Sequence, residues 1–358
     1  MSHFVGLDVS QKMTAICVVD KDGRRVWRGQ CPSVPEQISA ALRRYAGDNA
    51  RIGIETGAMT PWIVHELRNL GFEVVCLDAR HARAALKMQI NKNDQNDAEG
   101  LAQIVRTGWY RSVHVKSFDS HRARAILGAR TQLVGMTTRL SNHIRGVLKT
   151  FGLLPGAMRG LPFDRKVEVL LEGRSDVAPI VRPMLVAWRQ LRVQIAAFDK
   201  AIRAMVRMSG ASRLLMSVPG VGLLSALAYV STVEDPSRFA RSRSVGAHLG
   251  LTPRQYQTEE VDRSGRISRC GDTLTRTLMY EAAGVILTRV KKASGLRDWL
   301  LRSQGDPGRA RHELRWPESS RLSFIVFGVR ENRSVGLSQS MPSSPNLLSK
   351  SIRVMSRM

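Results

Sequence analysis

Four short apolar runs in the first third of the chain, at residues 4–9, 14–19, 51–55 and 72–77, confine the fold more tightly than any other feature of the sequence. Each is too short for a core helix and is bounded by turn-forming residues, so each reads as a buried strand. Asp20-Lys21-Asp22-Gly23 turns the chain out of the second run towards a further strand around Val26-Trp27. Helical spacing of apolar residues follows at about 35–46 and 61–70, and helical segments continue from the last run to about 107. Three early strands and then alternating helix and strand predict an α/β domain with a mixed sheet over 1–117.

Two of these runs carry an acid in an apolar setting. Asp8 lies inside Phe4-Val5-Gly6-Leu7-Asp8-Val9, and Glu55 ends Ile52-Gly53-Ile54-Glu55 ahead of a Thr56-Gly57 turn. Further on, Lys92-Asn93-Asp94-Gln95-Asn96-Asp97-Ala98-Glu99 sets two acids three apart. A helix starting there puts Asp94 and Asp97 on one face. Carboxylates at adjacent strand ends and on a facing helix have the chemistry to hold two hard cations about 3.5–4 Å apart, as in two-metal phosphoryl transfer. Taken singly, each acid is as readily a turn residue or a structural carboxylate. Their order within one α/β region is what points to a metal site.

The rest of the chain is strongly basic. Lys and Arg number 55 against 30 Asp and Glu, a net charge of +25, and 44 of the 55 are Arg. Such a field draws polyanions, and nucleic acid is the expected partner. The planar guanidinium suits phosphate and guanine edges. Cys17, Cys31, Cys76 and Cys270 are scattered, with no CxxC pair, so neither a zinc site nor a disulfide framework is expected. Reduced thiols fit a cytoplasmic protein. The first residues lead straight into a strand without a signal peptide, and no apolar run approaches the ~20 residues of a membrane span.

Residues 118–208 change character. Leu, Ala, Val and Arg recur at helical spacing, which predicts two long helices broken around Leu153-Leu154-Pro155-Gly156 and Leu161-Pro162. An antiparallel hairpin or coiled-coil arm for dimerisation or nucleic-acid contact is one reading, and a helical spacer is the other. Residues 209–295 read as a third, mainly helical unit. In it, Pro219-Gly220-Val221-Gly222 forms a turn between helices, either an ordinary one or a helix-hairpin-helix whose glycines bring backbone N–H groups to a DNA phosphate. A loop rich in hydroxyls and Arg follows over 250–271, with Arg254 and Arg266 as candidate phosphate contacts, and then a helix at 272–290 capped by Asp272. Residues 296–358 lose the pattern and read as a disordered or degenerate tail.

These motifs together resemble the DEDD-type insertion-sequence transposases, understood as bridge-RNA-guided recombinases. The likeness covers about residues 3–295. Gly6-Leu7-Asp8-Val9-Ser10, Ile54-Glu55-Thr56-Gly57 and Lys92-Asn93-Asp94-Gln95-Asn96-Asp97-Ala98 resemble the family's RuvC-like, RNase H-fold domain. The helices resemble its coiled coil. Val218-Pro219-Gly220-Val221-Gly222 and Gly250-Leu251-Thr252-Pro253-Arg254 resemble its C-terminal transposase domain. The resemblance implies that Asp8, Glu55, Asp94 and Asp97 coordinate Mg²⁺, that DNA and a guide RNA are partners, and that the chain acts as a homo-oligomer, a dimer or tetramer. It also implies a serine nucleophile, and the aligned position here is Thr258. Glu259 follows it where members carry Gly, and Ser264 and Ser268 do not align. The segment 301–358 departs from the Arg/Lys-rich helical ending of the family. Two further readings are a Holliday-junction resolvase using the acidic site alone, and a decayed, non-catalytic binding remnant.

Overall fold

The computed structural model describes residues 3–87, 93–154, 156, 160–258 and 262–289. The chain divides into two compact units, Met1–Phe118 and Asp119–Met358. The first holds β1 (Phe4–Val9), β2 (Met13–Val19), β3 (Arg25–Pro32), α1 (Pro35–Tyr45), β4 (Arg51–Glu55), α2 (Thr60–Asn69), β5 (Glu73–Leu77), α3 (Ala79–Leu86) and α4 (Asp94–Thr107). The sheet order is β3-β2-β1-β4-β5. The β1–β2 and β2–β3 pairs are antiparallel, whereas β1–β4 and β4–β5 are parallel. The mixed sheet expected from the spacing of the apolar runs is therefore present.

Strand alternation divides the core between two faces. Val5, Leu7, Ile16, Val18, Ile52, Ile54, Val74 and Cys76 pack with Ile38 and Leu42 of α1 and Ile63, Val64 and Leu67 of α2. On the opposite face, Ala15, Cys17 and Val19 meet Ala98 and Ala102 of α4, and Leu77 meets Ala82 of α3 and Leu101 and Val105 of α4. Gly6 and Gly53, register partners on β1 and β4, face α4. A Cβ at Gly6 would collide with the Ala98 carbonyl and stand 2.9 Å from the Leu101 Cβ, and one at Gly53 would collide with Val105 Cγ2. The helix can lie flat on the sheet only because both side chains are absent. Gly6→Ala should therefore cost about 3 kcal/mol, read as a lower denaturant midpoint. An unchanged midpoint would mean that this close packing is absent in solution.

In the second unit, α5 (Phe118–Thr150) and α7 (Ala178–Met208) run antiparallel, with α6 (Phe163–Leu170) between them in sequence. Ala123 and Leu127 meet Ile202 and Val206 at one end, and Ile144 and Leu148 meet Val181 and Leu185 at the other. Between them Arg130 Nε donates to Asp199 Oδ1 at 2.6 Å. Leu227 and Ala228 of α9 (Leu223–Val233) belong to the same cluster as Ala123 and Ile202. The base of the long helices and the C-terminal helices thus share a core. That part also contains α8 (Gly210–Leu215), α10 (Ser242–His248), α11 (Thr273–Thr288), β6 (Pro253–Gln257) and β7 (Asp262–Ile267). Asp272 caps α11 as expected, accepting from Thr275 N at 2.7 Å.

The reading of 250–271 as a loop is corrected: β6 and β7 form an antiparallel hairpin. Its residues are polar on both faces, so the apolar alternation that betrays a half-buried strand is missing. Among the described residues, no helix is long and apolar enough to cross a membrane. The tail at 296–358 lies outside the described residues.

Candidate active site and nucleic-acid interface

The carboxylates are placed by the sheet. β1 and β4 run parallel with Leu7 opposite Ile54, so Asp8 and Glu55 come next at the two neighbouring strand ends. Period-two alternation puts Asp8 on the face of Gly6 and Glu55 on the face of Gly53, the face covered by α4. The direction of α4 follows from its contacts. Ala98 lies over Gly6, while Gln103 Nε2 donates to Gly23 O at 2.7 Å and Arg106 Nη1 to Lys21 O at 3.3 Å, both at the opposite end of the sheet. The N-terminus of α4 therefore stands over the ends that carry Asp8 and Glu55. Asn93 caps it, accepting from Asn96 N at 2.8 Å, and Asp94 and Asp97 occupy its first turn. Their charge is favourable there, against the positive end of the helix dipole.

All four acids thus belong to one edge of the sheet. Asp8, Glu55 and Asp97 are half-buried and Asp94 is exposed. Among the described residues, no three His, Cys, Asp or Glu side chains stand close enough together to hold a metal ion, so the carboxylates share a face without closing into a cage. By donor type alone, carboxylate oxygens suit a hard divalent cation. The neighbouring thiols do not compete for such an ion. Burial pushes Cys76 up to about 11, with Asp78 and Glu55 adding to the rise against Arg68, and burial with Glu99 pushes Cys17 up to about 11.

Two threonines fix the Glu55 turn and were not singled out from sequence. Thr60 Oγ1 donates to Glu55 O at 2.6 Å and accepts from Gly57 N at 2.8 Å. Thr56 Oγ1 accepts from Ala79 N at 3.1 Å, tying the end of β4 to α3. The available signal was a Thr-Pro helix start just past the strand, which by itself marks only a helix start.

The remaining sequence-derived residues lie in the second unit. Val218 and Val221 are buried in its core. Gly220 has φ +86°, and a Cβ there would press within 2.8 Å of the Ala282 carbonyl. Gly222 is the N-cap of α9 and gives no side-chain cap. A Cβ at Gly222 would meet nothing within 4 Å. It borders a cavity of about 430 Å³ also lined by Arg130, Arg203 and Asp199. Thr258 follows β6 directly and is exposed, as are Arg254 and Arg266. Thr258 and the four carboxylates belong to different units of the chain.

A polar network joins three helices of this unit. Arg124 donates to Asp272 Oδ2 at 2.7 Å and to Thr232 Oγ1 at 3.1 Å, and the Thr232 and Thr275 hydroxyls are 2.7 Å apart. Burial pushes the Asp272 carboxyl up, but hydrogen bonds from Thr275 and the Arg124 guanidinium outweigh it and hold the group below its ordinary value. A depressed folded pKa adds stability that is complete above about pH 4. That stability is lost as pH falls below this and through the lowered value. Asp272→Ala should therefore cost about 1–2 kcal/mol near neutrality and much less in acid. Equal losses at both pH values in chemical denaturation would exclude this linkage.

Two family models match the chain. Residues 5–152 match the DEDD model of IS110 type, described as a transposase, and residues 212–297 match the model described as the transposase IS116/IS110/IS902 family. A Pseudomonas aeruginosa protein named a probable family 20 transposase is 28% identical over 304 residues, covering 83% of this chain and 88% of its own length. The transposase for insertion sequence element IS1111A from Coxiella burnetii is 27% identical over 310 residues, covering 83% and 81%. The class is thus a DNA transposase, and the mixed sheet with its flanking helices is consistent with an RNase H-like DEDD domain. The chain belongs to the IS110/IS116-type transposase family.

Proposed function

We propose that the chain cuts and exchanges DNA strands to mobilise its own insertion sequence, with Mg²⁺ held by Asp8, Glu55, Asp94 and Asp97 and with a guide RNA supplied by the element. The observation that carries this reading is the shared edge: two carboxylates at parallel strand ends on the face that α4 covers, and two more in the first turn of that helix. Mg²⁺ bound there would act as a Lewis acid on a phosphate oxygen. The chain's own part is to present two carboxylates at the strand ends and two in the first turn of α4, with Thr60 and Thr56 pinning the Glu55 turn. Thr258 supplies the nucleophile: its Oγ displaces one ester oxygen of a DNA phosphate, exchanging one P–O bond for another and leaving a covalent intermediate.

The Pro219-Gly220-Val221-Gly222 turn serves as a helix-hairpin-helix, offering the uncapped N–H groups of α9 to a backbone phosphate beside Arg130 and Arg203. The working form is a homo-oligomer. A second reading, a remnant that only binds nucleic acid, is kept by Thr258, which stands where the resemblance implies a serine. Strand exchange on DNA bearing the element's ends, with guide RNA, should require Mg²⁺ and stop in chelator. Unimpaired exchange in chelator would remove the metal-site reading.

A further inference from the structure

The β6–β7 hairpin is anchored at one end and open elsewhere. At its base, Ile267 and Leu251 lie in the core, Ser268 N donates to Thr252 O at 2.8 Å, and Arg269 N donates to Gly250 O at 2.9 Å. Beyond that base, all five residues of β6 are exposed, Tyr256 to 67%. Arg263, Gly265 and Arg266 of β7 are exposed too. Tyr256 pairs with Arg263, and the Gly265 position lies against Arg254. By alternation Arg254, Tyr256 and Arg263 share one face, an aromatic ring between two guanidiniums, with Thr258 beyond it at the tip. Among the described residues, Arg254, Arg263 and Arg266 make no ion pair, in contrast to Arg124 and Arg130 in the same unit.

A two-stranded ribbon with both faces in solvent gains little from its own burial. Its surface is polar and basic, so an apolar protein face is a poor match and a polyanion a good one. Its width then selects among polyanions. Strands about 4.8 Å apart with their side chains fit the B-DNA major groove, about 12 Å wide. The major groove of an A-form RNA duplex is too deep and narrow to admit it. We propose that the β6–β7 ribbon inserts into the major groove of B-form DNA, with Arg254, Tyr256 and Arg263 against the duplex and Thr258 carried at its tip. This rests on the reading that DNA is the substrate. It adds the element that grips the duplex, the groove it enters and two contact residues, Tyr256 and Arg263.

The test is binding of the full chain to a short DNA duplex and to an RNA duplex of the same sequence, across a salt titration. A major-groove dye (methyl green) and a minor-groove ligand (netropsin) serve as competitors. The wild type should prefer DNA and be displaced by methyl green. Arg254→Ala/Tyr256→Ala/Arg263→Ala should lose about 100-fold in DNA affinity, and its salt slope should fall by about 2 as two phosphate-neutralising charges are removed. Arg254→Gln/Arg263→Gln, which keeps polar strand residues, should show the same slope change if the triple variant folds poorly. DNA affinity unchanged in these variants, or displacement by netropsin alone, overturns the ribbon while leaving DNA as substrate. A wild type with no affinity for the DNA duplex, either alone or with the element's guide RNA, overturns both readings.

Discussion

Asp8→Asn should reduce strand exchange by about 10³-fold or more. The Lewis-acid contribution of a bound cation is worth several kcal/mol, and each 1.4 kcal/mol is about a factor of ten in rate. Asn keeps the shape of the side chain but loses the charge that binds the ion. Asp8 sits on β1 directly after Leu7, a fully buried side chain, so strand and register should survive the change. The melting temperature without metal should stay within about 4 °C of wild type, the shift expected for about 1 kcal/mol. The two proteins should separate when Mg²⁺ is added. Binding to the folded state alone raises the wild-type melting temperature by mass action, and Asp8→Asn should lose most of that increment. Exchange at the wild-type rate in Asp8→Asn, or an equal Mg²⁺ shift in both proteins, would reject a cation at this edge.

The second large effect is expected at residue 258. Thr carries the hydroxyl needed for attack on phosphorus, but its extra methyl narrows χ1 and crowds the approach. Its exposed position immediately after β6 leaves it accessible to a duplex. Thr258→Ser should raise strand exchange, about ten-fold if the methyl hinders attack by about 1.4 kcal/mol. Thr258→Val keeps the shape, deletes the hydroxyl and should abolish both exchange and a covalent protein–DNA adduct trapped on a nicked duplex. Because the side chain is exposed, none of these changes should alter stability by more than about 0.5 kcal/mol. Exchange retained by Thr258→Val would move the nucleophile elsewhere, with Ser264 next to test. Binding without exchange in every variant would favour the remnant reading and point to Glu259 as a further lesion.

The apolar runs fixed the early strands, because a core strand cannot avoid declaring its buried face in its residue types. Asp272 showed where α11 begins, because a cap needs a short polar side chain at one position. The charge pointed to a polyanion, since composition alone sets the net field. What lay in pairing and packing did not show. Nothing local says that Glu55 stands beside Asp8, because that follows from β4 pairing parallel to β1, which brings together residues far apart in the chain. Nothing local says that Gly6 and Gly53 are small so that α4 can lie against the sheet, because each clash is with a residue more than fifty positions away. The β6–β7 ribbon was invisible because its described residues beyond the base are exposed, so no apolar alternation marks it. The face shared by Arg254, Tyr256 and Arg263 exists only once the two strands are paired. Local chemistry was legible where it acts through neighbouring residues, and the tertiary structure decided whatever acts through residues brought together from afar.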